Sequence, residues 1–171
     1  MRKLIVLVGA PGLGKSTWAE NHAAMIPGTI KIVSRDKIRF ALVKENEEYF
    51  SKEKEVFKEY IKEIKKGLKY YDYTIADATH LNLASRTKLL RALGPSLYEV
   101  EVDAVVIQGS LETALKQNEN RLGTRSYVPQ DQIRKMYKQQ TMPSFEEGFY
   151  KIYIYQADKI GIKYSVFERN E

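Results

Sequence analysis

The 171-residue chain has no cysteine, so neither a disulfide framework nor a thiolate metal site is open to it. That composition fits a reducing compartment, with the cytoplasm as the default. Histidine is nearly as scarce: His22 and His80 are the two in the sequence, which rules out a histidine-based metal cluster and a histidine-relayed nucleophile. No apolar run approaches the roughly 20 residues that cross a bilayer, so a membrane role is not expected. Met1-Arg2-Lys3 followed by an apolar stretch has the look of a signal peptide, yet that stretch runs straight into a glycine-rich loop and reads as a buried strand. Repeats, low-complexity tracts and linkers are missing too, and the length suits one domain over 1–171. The guanine-reading pattern Asn-Lys-x-Asp does not occur, which counts against a GTPase switch. Positive charge is in good supply. The net +6 favours polyanionic partners such as nucleic acid or free nucleotides.

Apolar patterning predicts alternating strands and helices. Residues 4–8 form a continuous apolar run ended by Gly9, the mark of a strand buried on both faces, and 15–25 read as a helix. Strands follow at 29–33, 73–76, 100–107 and 150–157. Helices are expected from the Ser34-Arg35-Asp36 junction through residue 40, and over 51–69, 83–93, 111–122 and 130–140. Residues 44–54 read as an exposed polar connection, and 123–129 as a turn-rich basic segment. The order implies an α/β fold: a parallel sheet of about four or five strands with helices on both faces. Ligands are then expected at the carboxyl ends of the strands.

Residues 9–16, Gly9-Ala10-Pro11-Gly12-Leu13-Gly14-Lys15-Ser16, match G-x-x-x-x-G-K-S at every fixed position, between an apolar strand and a helix. Glycines let backbone amides converge on phosphate oxygens at the positive end of the helix dipole. Lys15 would reach the β- and γ-phosphates and Ser16 would ligate magnesium, so ATP and Mg2+ are expected. Asp36 and Arg39, three residues apart, place a carboxylate beside a guanidinium. Asp36 fits a general base for an acceptor hydroxyl, with Arg39 on an acceptor phosphate, and equally fits a helix cap with an exposed ion pair. Asp77 closes a strand where P-loop proteins often keep a magnesium-holding carboxylate; the alternative is a turn cap with Thr79. His80 reads as structural or substrate-positioning. Arg121 and Arg125 fall on a hinge-like segment, either a lid acting on the transferring phosphoryl or a basic turn. Lys58, Lys62, Lys65 and Lys69 form a helical stripe, a nucleic-acid contact or a solvated face, and Tyr60 reads as core.

Four segments taken in order resemble the 5′-kinase domain of the bacteriophage polynucleotide kinase family over about residues 3–140. They are the loop with Ser16-Thr17-Trp18, then Ser34-Arg35-Asp36-Lys37-Ile38-Arg39, then Asp77-Ala78-Thr79-His80-Leu81-Asn82, and a lid running through Val128-Pro129 to Arg134-Lys135-Met136-Tyr137. The resemblance implies a P-loop kinase fold with an arginine-bearing lid at about 121–130, in the cytoplasm or a phage host's cytoplasm. By the same resemblance Gly12, Gly14, Lys15, Ser16 and Thr17 hold ATP and magnesium, Asp36 activates the 5′-hydroxyl of DNA or RNA, and Arg39 binds the acceptor's phosphate. Asp77 and Thr79 would position the acceptor or the metal's waters, and Arg125, with Arg121 behind it, would clamp the ATP phosphates. Which of the two arginines is essential stays open, as does a homo-oligomeric state. His80 stands where the family often has Asn. Two-domain members add a phosphatase with Asp-x-Asp-x-Thr, which residues 141–171 do not contain. A kinase of a small-molecule hydroxyl and a non-catalytic nucleotide-binding module are the competing readings.

Overall fold

The computed structural model describes residues 1–157 and 164–168. The expectation of one domain over 1–171, and of no phosphatase motif in 141–171, therefore extends in part outside the described residues. Strands β1 (Arg2–Val8), β2 (Ile30–Ser34), β3 (Tyr73–Asp77), β4 (Val100–Gln108), β5 (Lys151–Gln156) and β6 (Tyr164–Glu168) make one six-stranded sheet in the order β2-β3-β1-β4-β5-β6. The first five are parallel, and β6 pairs antiparallel with β5. The sheet thus exceeds the four or five strands expected. Residues 165–168 of β6 are exposed, so the strand carries no buried apolar alternation to announce it.

Strand β1 lies in the middle with β3 and β4 on its two sides, and its alternate residues feed two separate cores. Leu4, Val6 and Val8 pack with Val102, Ala104 and Val106 on one face, against Tyr60, Ile61 and Ile64 of helix α3 (Glu53–Tyr70) and Leu89 of α4 (Leu83–Leu93). Ile5 and Leu7 join Val105 and Ile107 on the other face, under Ala19 of α1 (Lys15–Met25), Ala114 of α5 (Leu111–Glu119) and Ile133 of α6 (Gln130–Lys138). A period-2 run apolar on both sides demands helices above and below the sheet, and the chain supplies them. Gly67 lets α3 lie close on β3: a Cβ there would come within 2.5 Å of Thr74 Oγ1.

Helix α5 stops at Glu119 rather than at residue 122. Asn118, fully buried, turns its amide to Val128, donating from Nδ2 to the carbonyl at 2.7 Å and accepting from the amide at 3.0 Å. The chain then tightens into i→i+3 bonds from Arg121 N and Leu122 N. Arg86 was not singled out from sequence, yet it is fully buried, forked onto Glu147 at 2.7 and 2.9 Å, and donates to the carbonyls of His80 and Thr141.

His80 is a fold pin, 4% exposed. Its Nδ1 lies 2.7 Å from the Leu7 carbonyl, which can only accept, so Nδ1 carries the proton and Nε2 accepts from the Tyr60 hydroxyl at 3.3 Å. Burial holds its pKa at about 4, below the ordinary 6.5. As pH falls from 6.5 toward 4 the unfolded chain takes up a proton at this residue that the folded chain refuses, so stability is lost across that window, by up to about 3 kcal/mol. His80→Asn suits the positive φ of 39° and removes the titration. The variant should be less stable than the parent at pH 7, and in urea unfolding the gap should shrink as pH approaches 4.5. A gap independent of pH would remove His80 from the acid response.

Candidate functional site

A cleft of about 280 Å³ opens at the carboxyl ends of β1, β2 and β3, beside the central strand β1, from which the chain first crosses to one edge at β2 before later strands are added on the other side. Its floor is the glycine loop. Gly12 adopts φ 84°, and a Cβ on it would meet the Ala114 carbonyl oxygen at 2.5 Å, so both conformation and space require glycine. Gly14, at φ 89°, is the N-cap of α1 and has open space where a side chain would stand. The α1 amides thus face the cleft without a side-chain cap, an arrangement suited to an anion.

Lys15 is buried and donates from Nζ to the Ala10 carbonyl at 2.8 Å. Desolvation lowers its pKa to about 8, opposed by the charges of Asp77 and Asp36 and reinforced by Arg121. Ser16 donates to Asp77 Oδ2 at 2.8 Å, tying the loop to the tip of β3. Burial raises the Asp77 pKa, and the Ser16 hydroxyl and Lys15 pull it back down. A hydroxyl and a carboxylate side by side are hard oxygen donors of the kind that suits magnesium. Thr79 lines the cleft, and its carbonyl accepts from the Gly9 amide at 3.0 Å. Thr17 is exposed on α1 and does not line the cleft.

The opposite wall begins at α2 (Arg35–Leu42). Ser34 caps this helix by accepting from Lys37 N, which leaves Asp36 free of the capping role. The Asp36 side chain is 60% exposed and its Oδ1 is held twice, by Arg39 Nη1 and by the Tyr49 hydroxyl at 3.1 Å. Arg39 itself is buried. Its Nη1 also donates to the Tyr49 oxygen at 3.0 Å, and its Nε to Glu53 Oε1 at 2.7 Å. The other Glu53 oxygen accepts from Arg35 Nη2 at 2.8 Å, so a single carboxylate bridges two guanidinium groups. Burial, together with the Asp36 charge, pushes the Tyr49 pKa to about 12, which keeps its hydroxyl protonated. The expectation that 44–54 is merely an exposed connection is therefore corrected: Tyr49, Phe50 and Glu53 wall the cleft. Sequence reasoning missed them along with Arg35. The one available signal was the Tyr49-Phe50 pair, two aromatic residues inside an otherwise polar segment.

The two arginines of the 121–129 connection part company. Arg121 lines the cleft, and its charge is felt by Lys15. Arg125, expected at the ATP phosphates, instead donates to the carbonyls of Phe40 at 3.1 Å and Val43 at 2.5 Å, with its guanidinium 4.8 Å above the Phe40 ring. It fastens the connection onto the C-terminal end of α2, where helix carbonyls lack partners. Lys58, Lys62, Lys65 and Lys69 are exposed on the outer face of α3 and none lines the cleft, whereas Tyr60 is fully buried.

A family model described as an AAA domain matches residues 4–143. Among solved structures the chain is similar to one in the Pnkp1/Rnl/Hen1 RNA repair complex, at 26% identity and TM-score 0.59 over 81% of this chain and 43% of that one. It thus spans less than half of that relative's length. It is similar in fold to Kti12 of Chaetomium thermophilum in complex with ADP-AlF3 (19% identity, TM-score 0.62, 84% and 82% covered). A sugar kinase from Janibacter sp. HTCC2649 shares the fold as well (15% identity, TM-score 0.62, 94% and 87% covered). A kinase-type P-loop fold implies nucleotide binding, and the match begins in β1 and runs through the glycine loop, the Asp77 tip and α6. The chain belongs to the AAA domain family.

Proposed function

We propose that this chain is an ATP-dependent kinase that transfers the γ-phosphoryl group to the 5′-hydroxyl end of DNA or RNA. The observation that carries this reading is Asp36: a carboxylate with one oxygen fixed by Arg39 and Tyr49, in the same cleft as the P-loop lysine. A non-catalytic nucleotide-binding module has no use for so oriented a carboxylate. The likeness to a chain of an RNA repair complex supports a nucleic-acid acceptor over a sugar.

In this reading Lys15, the loop amides and Arg121 bind the phosphates, and Arg125 latches the connection that carries Arg121. Ser16 and Asp77 would hold magnesium, which when bound neutralises charge on the β- and γ-oxygens. The acceptor hydroxyl approaches Asp36 Oδ2, the oxygen that Arg39 and Tyr49 leave free. As the bond from the γ-phosphorus to the 5′-oxygen forms and the bond to the β–γ bridging oxygen breaks, the hydroxyl proton passes to Asp36 and ADP departs. No covalent enzyme intermediate is needed. Arg39, whose Nη1 and Nε are engaged, acts first as the clamp on Asp36 and offers its remaining Nη2 to an acceptor phosphate, with the less buried Arg35 beside it.

The chain should label 5′-hydroxyl DNA or RNA oligonucleotides from γ-labelled ATP and magnesium, in preference to nucleosides and sugars. Label on sugars alone would overturn the reading. Asp36→Asn should lower kcat by about 10²- to 10⁴-fold while leaving ATP affinity at pH 7 near that of the parent, and full activity would remove Asp36 from the mechanism. Lys15 gives a pH signature. Bound phosphates favour its charged form, so ATP affinity is flat below the free-state pKa of about 8 and weakens by roughly tenfold per unit above it. Calorimetric titrations from pH 7.5 to 9.5 should show that slope, and a flat profile would contradict it.

A further inference from the structure

Residues 43–52 cross from α2 to α3 and bring two aromatic rings to the cleft, only one of which is tied by hydrogen bonds. Tyr49 is committed through its hydroxyl to Asp36 and Arg39. Phe50 has no polar group, lines the same cleft as Lys15, Asp36 and Asp77, and is 55% exposed. It meets Tyr49 at right angles, with centroids 4.7 Å apart and planes at 85°, and more than half of the residue stays open to solvent. The Arg39 guanidinium lies 5.5 Å from the Phe50 centroid and 4.6 Å from that of Tyr49. A base for a hydroxyl, cationic groups and a half-exposed aromatic ring therefore share one wall.

We infer that Phe50 is the stacking platform for the nucleobase of the acceptor's terminal nucleotide. The inference rests on the kinase reading above and narrows it to acceptors that carry a base next to the hydroxyl. A nucleotide presents three groups within one residue: a hydroxyl for Asp36, an anionic phosphate for the Arg35–Arg39 pair, and a π-face for Phe50. A sugar without a base offers Phe50 no π-face to stack on and brings no phosphate to the Arg35–Arg39 pair. Stacking tolerates every base, so the site selects for the presence of a base and only weakly for its identity.

The test uses two 5′-hydroxyl oligonucleotides that differ only in an abasic sugar at the 5′ end. Phe50→Ala should raise KM for the base-bearing acceptor by roughly 5- to 150-fold and change the abasic acceptor by about twofold or less. KM for ATP should hold, which also reports an intact fold, and Phe50→Trp should restore the base-bearing acceptor. Equal losses on both acceptors, or a parent enzyme that prefers neither, would overturn the stacking site while the kinase reading stands. Failure of the parent chain to label any oligonucleotide would overturn both.

Discussion

The cleft is organised around one buried ammonium group. Lys15 must be inside the glycine loop to meet phosphate oxygens, and burying it there pulls its pKa down to about 8 before any nucleotide arrives. An unpaired buried cation would lose its charge instead. Carboxylates at the ends of two neighbouring parallel strands oppose that loss, Asp77 at the tip of β3 and Asp36 one residue into the helix that follows β2. The sheet order sets Asp77 on the strand next to β1 and Asp36 one strand further out on the same side, which is why the charge pattern of the site follows from strand topology. The Ala10 carbonyl gives the ammonium a neutral partner until phosphates replace it.

A second charge network, built from α2, the 43–52 crossing and the start of α3, holds the wall opposite the glycine loop. Glu53 stands in the first turn of α3, where the helix dipole favours a carboxylate, and from there it grips Arg35 and Arg39 one turn apart on α2. Arg39 is thereby immobilised with its Nη1 aimed at Asp36. Two guanidinium groups meet two carboxylates, Glu53 and Asp36, so the network is balanced in charge and held by directed hydrogen bonds. The 121–129 connection is built similarly, with one group to anchor and one to act. Asn118 fixes its base, Arg125 docks it on α2, and Arg121 is left to face the cleft.

The donor half was legible in the sequence because its signals are local. An apolar run, a glycine pattern and a helix lie within 25 consecutive residues, and the two-faced strand they imply requires a sheet between helices. Asp36 and Asp77 could be picked out as strand-end carboxylates, but whether Asp36 capped its helix depended on which of Ser34 and Asp36 turned to the backbone, a rotamer matter invisible in residue types. Tyr49, Phe50 and Glu53 escaped because they act through contacts 10 to 18 residues away in a segment whose composition is that of any exposed loop. Arg125 misled for the opposite reason: its place in a basic turn matched a phosphate clamp, while its actual partners are main-chain carbonyls, which have no sequence signature. The buried Arg86–Glu147 pair, 61 residues apart, was hidden in the same way.

The two halves of the cleft are coupled through electrostatics, and this shapes how the acceptor carboxylate has to be studied. Asp36 is a candidate base and also one of the charges that keep Lys15 protonated. Neutralising it removes a proton acceptor and at the same time lowers the Lys15 pKa further, so above pH 8 a loss of transfer would mix failed deprotonation of the acceptor with weakened grip on the donor. Near pH 7 the ammonium keeps most of its charge, Asp77 still supports it, and the two effects separate. In the proposed reaction this one carboxylate serves both substrates, which gives a physical reason for its double restraint by Arg39 and Tyr49. Holding Oδ1 fixes the distance of the negative charge from Lys15, and it leaves the other oxygen free for the hydroxyl.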